Sequence, residues 1–283
     1  MKKLKPYYQI ISCLFFAFLG LQIKIITLTV NIETIVFFRS IIGTIIIFFL
    51  IILSKKNFSV ELIYTSNFKI HLLRTIFGTL AMYSGYKALG LISLSQATTI
   101  GFTKVFFTTL IASIVFKEKL KSLNLFFIFF GFLGVYLITN PDEISNHNGF
   151  YLSLFSALCV SGGILSITYL GKKDETFKIL FYHSLMSSLI FLGIFHSNIN
   201  FSINDNFFNF LLLTLTALTG QYFNAESYKN EETGKVITLS YSRIIFACIL
   251  GFLFLGEKIS FLTICGILII IFTTFLMQKK KKI

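Results

Sequence analysis

The chain is partitioned into ten apolar blocks of about 20 residues each, separated by short polar breaks, a length that spans a hydrocarbon layer about 30 Å thick. The blocks run near 7–28, 33–53, 69–90, 95–116, 122–140, 149–170, 177–196, 206–228, 234–255 and 260–278. Composition excludes a soluble domain. Of 283 residues, 55% are hydrophobic and only 13% charged, too little charge to cover a water-facing surface. The predicted fold class is an all-α membrane protein of ten transmembrane helices.

A net charge of +13 raises the question of nucleic acid, and the placement of the charge answers it. Lys2, Lys3, Lys5, Lys55, Lys56, Lys69, Lys117, Lys119, Lys121, Lys172, Lys173, Lys178, Lys229, Lys235 and Lys279 to Lys282 all fall in, or within two residues of, breaks that an even span count puts on one side. The opposite breaks hold Lys258 and the acidic Pro141-Asp142-Glu143. Basic loops mark the cytoplasmic side, so the sequence predicts both termini in the cytoplasm and no nucleic-acid partner. Abundant Lys, Ile, Phe and Asn with no Trp suggest an AT-rich bacterial genome, and hence a multi-pass protein of the inner membrane. The start, Met1-Lys2-Lys3-Leu4-Lys5, imitates a secretion signal. The apolar run after it is long for one and lacks a small-residue cleavage site, which predicts an uncleaved first helix.

An internal repeat constrains the arrangement further. A shift of 139 residues lays the third to fifth spans over the eighth to tenth. Tyr83 then meets Tyr222, Thr99 meets Thr238, Phe107 meets Phe246, and Glu118-Lys119 meets Glu257-Lys258. The small residues Gly78, Ala81, Gly85 and Ala88 meet Ala217, Gly220, Asn224 and Ser227. Their spacing of three, four and three puts each set on one helix face, where small side chains let helices approach closely. The predicted units are residues 1–140 and 141–283. Five spans per half is an odd number, so the halves insert with opposite orientation, which is a transporter architecture.

The same shift superposes Lys104 and Arg243, each nine positions past one end of its span and twelve before the other. At about 1.5 Å per residue both lie about 13 Å or more from the nearer helix end. A cation at that depth costs about 2.5–3.5 kcal/mol and faces a cavity or a partner. No acidic residue lies at comparable depth in any span. A carboxylate or phosphate on a small-molecule substrate is the natural counter-ion. The bland alternative is that both cations snorkel or bond backbone carbonyls.

Arg39, about six residues into the second span, divides evenly between site and interfacial anchor. Tyr83, Tyr222, Gln96, Asn224 and Tyr241 are polar groups inside apolar spans and complete the predicted substrate-binding set; Tyr86 and Gln221 are of the same kind. Gly101 and Ser240 are predicted hinge positions beside the two cations. Lys24 and Glu33 are expected to pair or to meet water, and Arg74, Lys87 and Glu226 to anchor at span ends, with Glu226 also paired to Lys229. Glu118 and Glu257 read as interfacial charges, and Ser122 and Ser260 as N-caps.

The cysteines Cys13, Cys159, Cys248 and Cys265 all lie in apolar blocks, and His71, His147, His183 and His196 are scattered. Neither set has metal-ligand spacing, so no cofactor or metal is predicted.

Two stretches carry a resemblance to a known family. In the first half it rests on Phe102-Thr103-Lys104 and Phe116-Lys117-Glu118-Lys119. In the second it rests on Tyr241-Ser242-Arg243 and Gly251-Phe252-Leu253-Phe254-Leu255-Gly256-Glu257-Lys258. The chain resembles the ten-helix EamA-type members of the drug/metabolite transporter superfamily over nearly its whole length. The resemblance implies a carrier of small metabolites, such as amino acids, nucleotide-like compounds, riboflavin or phosphorylated sugars. That family often has a proline directly after the Lys or Arg position, where this chain has Val105 and Ile244, so a hinge here must come from Gly, Ser or Thr.

The predicted activity is secondary-active transport, in the bilayer, of a small metabolite bearing a carboxylate or phosphate, with proton or ion coupling possible. There is no Walker A motif for ATP. Two alternatives stay open on the sequence. A proton-coupled exporter of lipophilic cations should carry a buried carboxylate in its first span, which is missing. A lipid-modifying membrane enzyme should gather His, Asp, Glu or Cys at one interface, and here they are dispersed. The chain is therefore not expected to be an enzyme.

Overall fold

A computed structural model describes residues 7–54, 64–115, 146–201, 206–230, 239–240, 242–257 and 260–279, with residues 126, 129, 130, 133, 134, 137 and 236 standing alone. Every regular element among them is helical. In chain order these are α1 (Tyr8–Ile26), α2 (Ile32–Ser54), α3 (Phe68–Leu91), α4 (Leu94–Gly101), α5 (Lys104–Val115), α6 (His147–Leu170), α7 (Thr176–Phe195), α8 (Phe207–Asn230), α9 (Ser242–Leu255) and α10 (Phe261–Lys279). Helices thus occupy nine of the predicted spans. The fifth, 122–140, falls mostly outside the described residues, and so do Glu118 and Ser122.

By length and composition, α1, α2, α6 and α7 are apolar enough to cross a membrane. Large apolar side chains such as Phe18, Phe49, Leu53, Phe208, Phe252 and Phe272 face outward, as they do where hydrocarbon is the solvent. Hydroxyls inside the helices are satisfied locally. Thr79 donates to the Thr75 carbonyl at 2.9 Å and Thr214 to the Phe210 carbonyl at 2.7 Å.

The packing respects the repeat. If α1, α2, α3 and the α4–α5 pair are exchanged with α6, α7, α8 and α9, the α3–α6 contact becomes α8–α1. Likewise α2–α8 becomes α7–α3, α1–α9 becomes the contact of α6 with α4 and α5, and α2–α7 and α4–α9 map onto themselves. All of these contacts are present. The small faces predicted from the repeat sit in the two largest of them. Ser156 Oγ of α6 donates to the Ala81 carbonyl of α3 at 2.8 Å, and Ser12 Oγ of α1 donates to the Gly220 carbonyl of α8 at 2.8 Å. Ala81 and Gly220 are one of the pairs that the 139-residue shift superposes. A glycine-free face would not permit this approach: a Cβ on Gly85 would lie 2.8 Å from Ser156 Oγ, and one on Gly162 2.7 Å from the Phe77 ring.

The fourth span, predicted as one helix over 95–116, is broken into α4 and α5 at Phe102-Thr103. The backbone tightens there, with Phe102 N–H on Thr99 O at 2.9 Å, Val105 N–H on Phe102 O at 3.0 Å and Phe106 N–H on Thr103 O at 3.0 Å. The ninth span tightens at the equivalent place, Arg243 N–H reaching Ser240 O at 3.0 Å. Hydroxyls take up the carbonyls that this leaves exposed. Thr103 Oγ1 donates to Ile100 O at 2.8 Å, and Ser242 Oγ to Leu239 O at 2.8 Å, again positions related by the repeat. Three-residue turns inside longer helices are a recurring device at moving parts.

Side chains stop the helices where the chain must turn. Ser93 and Gln96 form a capping box at the start of α4, Asn146 accepts from Gly149 N–H at 3.3 Å at the start of α6, and Ser260 accepts from Thr263 N–H at 3.1 Å at the start of α10, as its position predicts. Gly256, at φ 64°, takes the left-handed conformation that ends α9 and turns Glu257 back toward the bundle.

Candidate functional site

A cavity of about 240 Å³ lies among α1, α3, α4, α6, α8 and the start of α9, with side chains from α2, α5 and α7 completing its wall. Each helix contributes one face. On α1 it is Gln9, Cys13, Phe16, Gly20 and Ile23, a spacing of four and three that keeps all five on one stripe. On α3 it is Arg74, Gly78, Ala81, Gly85 and Leu89. The small residues of α3 thus serve twice, letting α6 approach and leaving open space beside it.

Four cations reach this space: Arg39 from α2, Arg74 from α3, Lys104 from the first residue of α5 and Arg243 from the first turn of α9. Among the described residues the cavity lining contains no Asp or Glu. The cations instead rest on weak partners. Lys104 Nζ lies 4.8 Å from the Phe102 ring centroid, and Arg243 Cζ lies 5.2 Å from that of Phe16. Arg39 Cζ lies 5.6 Å from the Tyr86 ring centroid, and its Nη1 donates to the Met82 sulfur. Arg74 Nη1 and His183 bracket Gly78, where a Cβ would sit 2.5 Å from His183 Cε1. Among the described residues, the Nε atoms of Arg39, Arg74 and Arg243 and the hydroxyl of Tyr86 are buried without a hydrogen-bond partner. A buried polar group left unmatched is costly, and a guanidinium most of all, so the cavity is poised for acceptors from outside the protein.

A polar node closes one side. Gln9 Nε2 donates to Ser240 Oγ at 2.7 Å and to Asn224 Oδ1 at 3.4 Å, while its Oε1 accepts from Ser227 Oγ at 2.6 Å. It ties α1 to α8 and to the tightened turn ahead of Arg243.

Of the residues singled out in the sequence, Lys104, Arg243, Arg39, Asn224, Gly101 and Ser240 line this one cavity, together with Tyr86 and Gln221. Tyr83, Tyr222 and Gln96 are placed elsewhere. Tyr83 donates to Glu33 Oε1 at 2.7 Å and stacks on Phe195 at 5.0 Å. Tyr222 stacks on Phe177 at 5.2 Å, and Gln96 is spent in the capping box. Tyr241 lies outside the described residues.

Three charged groups depart from expectation. Arg74 is no interfacial anchor: it is 8% exposed and turned into the cavity, because α7 packs beside α3 and covers it. Lys24 does not pair with Glu33. Its ammonium donates to the carbonyls of Leu89 at 3.1 Å and Ile92 at 2.6 Å, the free end of α3, where a cation is favoured. Glu226 accepts from Thr176 Oγ1 and from Asn230 Nδ2 at 3.0 Å, partners other than the expected Lys229.

Arg74, Gln9 and His183 were missing from the predicted set. The α1 stripe beginning at Gln9 is visible as a spacing, but only the fold shows which face of α1 looks inward.

Apolar helices wrapped around a polar cavity, in two similarly packed halves, define a multi-pass membrane transporter. The chain belongs to the EamA-like transporter family, whose profile matches residues 7–140 and again 147–278. It is 24% identical over 274 residues to the pseudopaline exporter CntI of Pseudomonas aeruginosa, covering 94% of this chain and 93% of that one. Solute carrier family 35 member G1 of Mus musculus is 27% identical over 219 residues, 71% of this chain and 59% of the relative. A solved crystal structure superposes with a TM-score of 0.71 over 99% of both chains at 11% identity, which shows a shared fold.

Proposed function

We propose that the protein is a secondary-active carrier of a small metabolite bearing a carboxylate or a phosphate, amino-acid-like or nucleotide-like, coupled to a proton or ion gradient. The single observation behind this is the set of four cations on one cavity whose described lining supplies no negative charge. A membrane protein retains such groups at cost only where a ligand or pathway uses them.

The halves, inserted in opposite orientations with both termini in the cytoplasm of a bacterium, alternate access around that cavity. Two ties between them lie at opposite ends of α3. At the Phe68 end, Asp174 accepts from Thr65 Oγ1 at 2.9 Å and lies 3.0 Å from His71 Nε2. At the Leu91 end, Glu257 holds the start of α4. Rocking breaks one tie while keeping the other, with the tightened turns at Gly101 and Ser240 as hinges. The relatives' names, exporter and solute carrier, support small-molecule cargo. The export of lipophilic cations is the poorer reading, because four cations repel such cargo.

The reading is tested in proteoliposomes by uptake and counterflow of labelled carboxylate and phosphate metabolites. Wild-type protein should transport at least one of them, and Lys104→Ala and Arg243→Ala should lower that rate at least ten-fold while eluting as folded protein. Unchanged rates in both variants would remove the cations from the transport cycle.

A further inference from the structure

The four cations fall into two pairs by their place in the fold. Lys104 and Arg243 come from the two tightened turns that the repeat superposes. Arg39 and Arg74 come from α2 and α3 and share His183 of α7, which stands with Arg74 beside Gly78 and lines a small side pocket with Arg39. Tyr86 lines the same cavity and carries Arg39 over its ring, and among the described residues its buried hydroxyl has no hydrogen-bond partner.

A single carboxylate offers two oxygens and one negative charge. It can satisfy one such pair, by a fork on a guanidinium with a second cation alongside. It leaves the other pair buried and repelling itself, with guanidinium Nε donors still unmatched. Among the described residues, both guanidinium groups of the Arg39–Arg74 pair have an unpartnered Nε, and so does Arg243. Lys104 Nζ lies over the Phe102 ring face. The cavity, about 240 Å³, has room for a short chain with an anionic group at either end.

Resting on the anion-carrier reading above, we propose that the substrate carries two separated anionic groups. One is bound by Lys104 and Arg243, the other by Arg39 and Arg74, with the Tyr86 hydroxyl donating to the substrate between them. The second pair is then the determinant that selects a dianion over a monoanion. The cavity wall suits a short linker: a Cβ added to Gly163 would stand 3.9 Å from Arg74 Nη1, and Ala81 and Gly85 present no side chain beyond a methyl.

The experiment measures binding to purified protein at low salt by thermal stabilisation. The probes are α,ω-dicarboxylates of three to eight carbons and bisphosphonates of matched length, each against the monoanion of the same chain length. Wild-type protein should bind an optimal-length dianion at least ten-fold more tightly than its monoanion. Arg39→Gln and Arg74→Gln should bring that ratio toward one. Arg39→Lys and Arg74→Lys, which keep the charge, should preserve most of it and serve as the control for folding. Lys104→Gln should weaken both classes of probe. Equal affinity for dianions and monoanions in the wild type, or an unchanged ratio in both Gln variants, overturns the two-pair proposal and leaves anion transport standing. Failure of every probe, mono- and dianionic, overturns the proposal together with the reading it rests on.

Discussion

Glu257, just past the end of α9, accepts the backbone N–H of Leu94 at 2.5 Å and so caps a helix in the other half of the chain. The same carboxylate takes Ser95 N–H at 3.2 Å and Ser95 Oγ at 2.8 Å. A negative group on the first turn of α4 meets both its free N–H groups and the positive end of its dipole. Gly256 supplies the left-handed turn that brings the side chain there, and Gly251 leaves the space, since a Cβ on it would lie 2.5 Å from Glu257 Oε2.

Breaking this cap should loosen one end of the molecule. Hydrogen bonds to a charged group contribute about 1.5–3 kcal/mol, so Glu257→Ala should lower the unfolding temperature by several degrees. It should also raise the labelling rate of a cysteine placed at Ser95. Gly251→Ala should imitate it by pushing the carboxylate aside. Wild-type melting and labelling in both variants would show that the cap does not hold the halves together.

The cations should show the opposite sign. An unpaired buried charge destabilises the unliganded fold, so replacing Lys104 by an apolar residue of similar length should relieve that cost. Lys104→Met is expected to melt at or above the wild-type temperature while losing at least ten-fold in transport. A large drop in melting temperature would mean that Lys104 has a structural partner and is not held for a ligand.

Much of this was legible in the chain itself, and the gaps have a physical cause. Apolar length announces a helix, and the repeat announces that Ala81 and Gly220 occupy like positions. The depth of Lys104 and Arg243 follows from counting residues along a span. Arg74 escapes that count. It lies close to the start of α3, where a cation is ordinarily an anchor, and what buries it is α7, roughly a hundred positions later in the chain. Tyr83, Tyr222 and Gln96 erred the other way: Glu33 takes the Tyr83 hydroxyl, the Ser93 cap takes Gln96, and Tyr222 lies with its ring on Phe177 away from the cavity. The Ser93-x-x-Gln96 box was itself readable as a helix start in the break between the third and fourth spans.

Tyr83 offers a control for the site. Tyr83→Phe removes the 2.7 Å bond to Glu33 and keeps the stacking on Phe195. Stability should fall by about 1.5–3 kcal/mol, with substrate KM within two-fold of wild type. A rise in KM of ten-fold or more would bring Tyr83 back into the site and contradict its position outside the cavity wall.

The hinges separate motion from binding. Gly101 ends α4 beside the tightened turn, and a Cβ there would meet nothing within 4 Å, so Gly101→Ala has no steric cost. Alanine favours helix over glycine by about 1 kcal/mol, which stiffens the end of α4 against bending. Gly101→Ala should therefore fold as well as the wild type or better, and turn over several-fold more slowly at saturating substrate. The contrast with Lys104→Ala is the informative part, since loss of a binding group weakens affinity and loss of a hinge slows the cycle at saturating substrate. Binding by thermal shift and counterflow on the same preparation separate the two. If Gly101→Ala transports at the wild-type rate, the bend at Phe102-Thr103 is a static feature of the fold, and the moving parts must lie elsewhere.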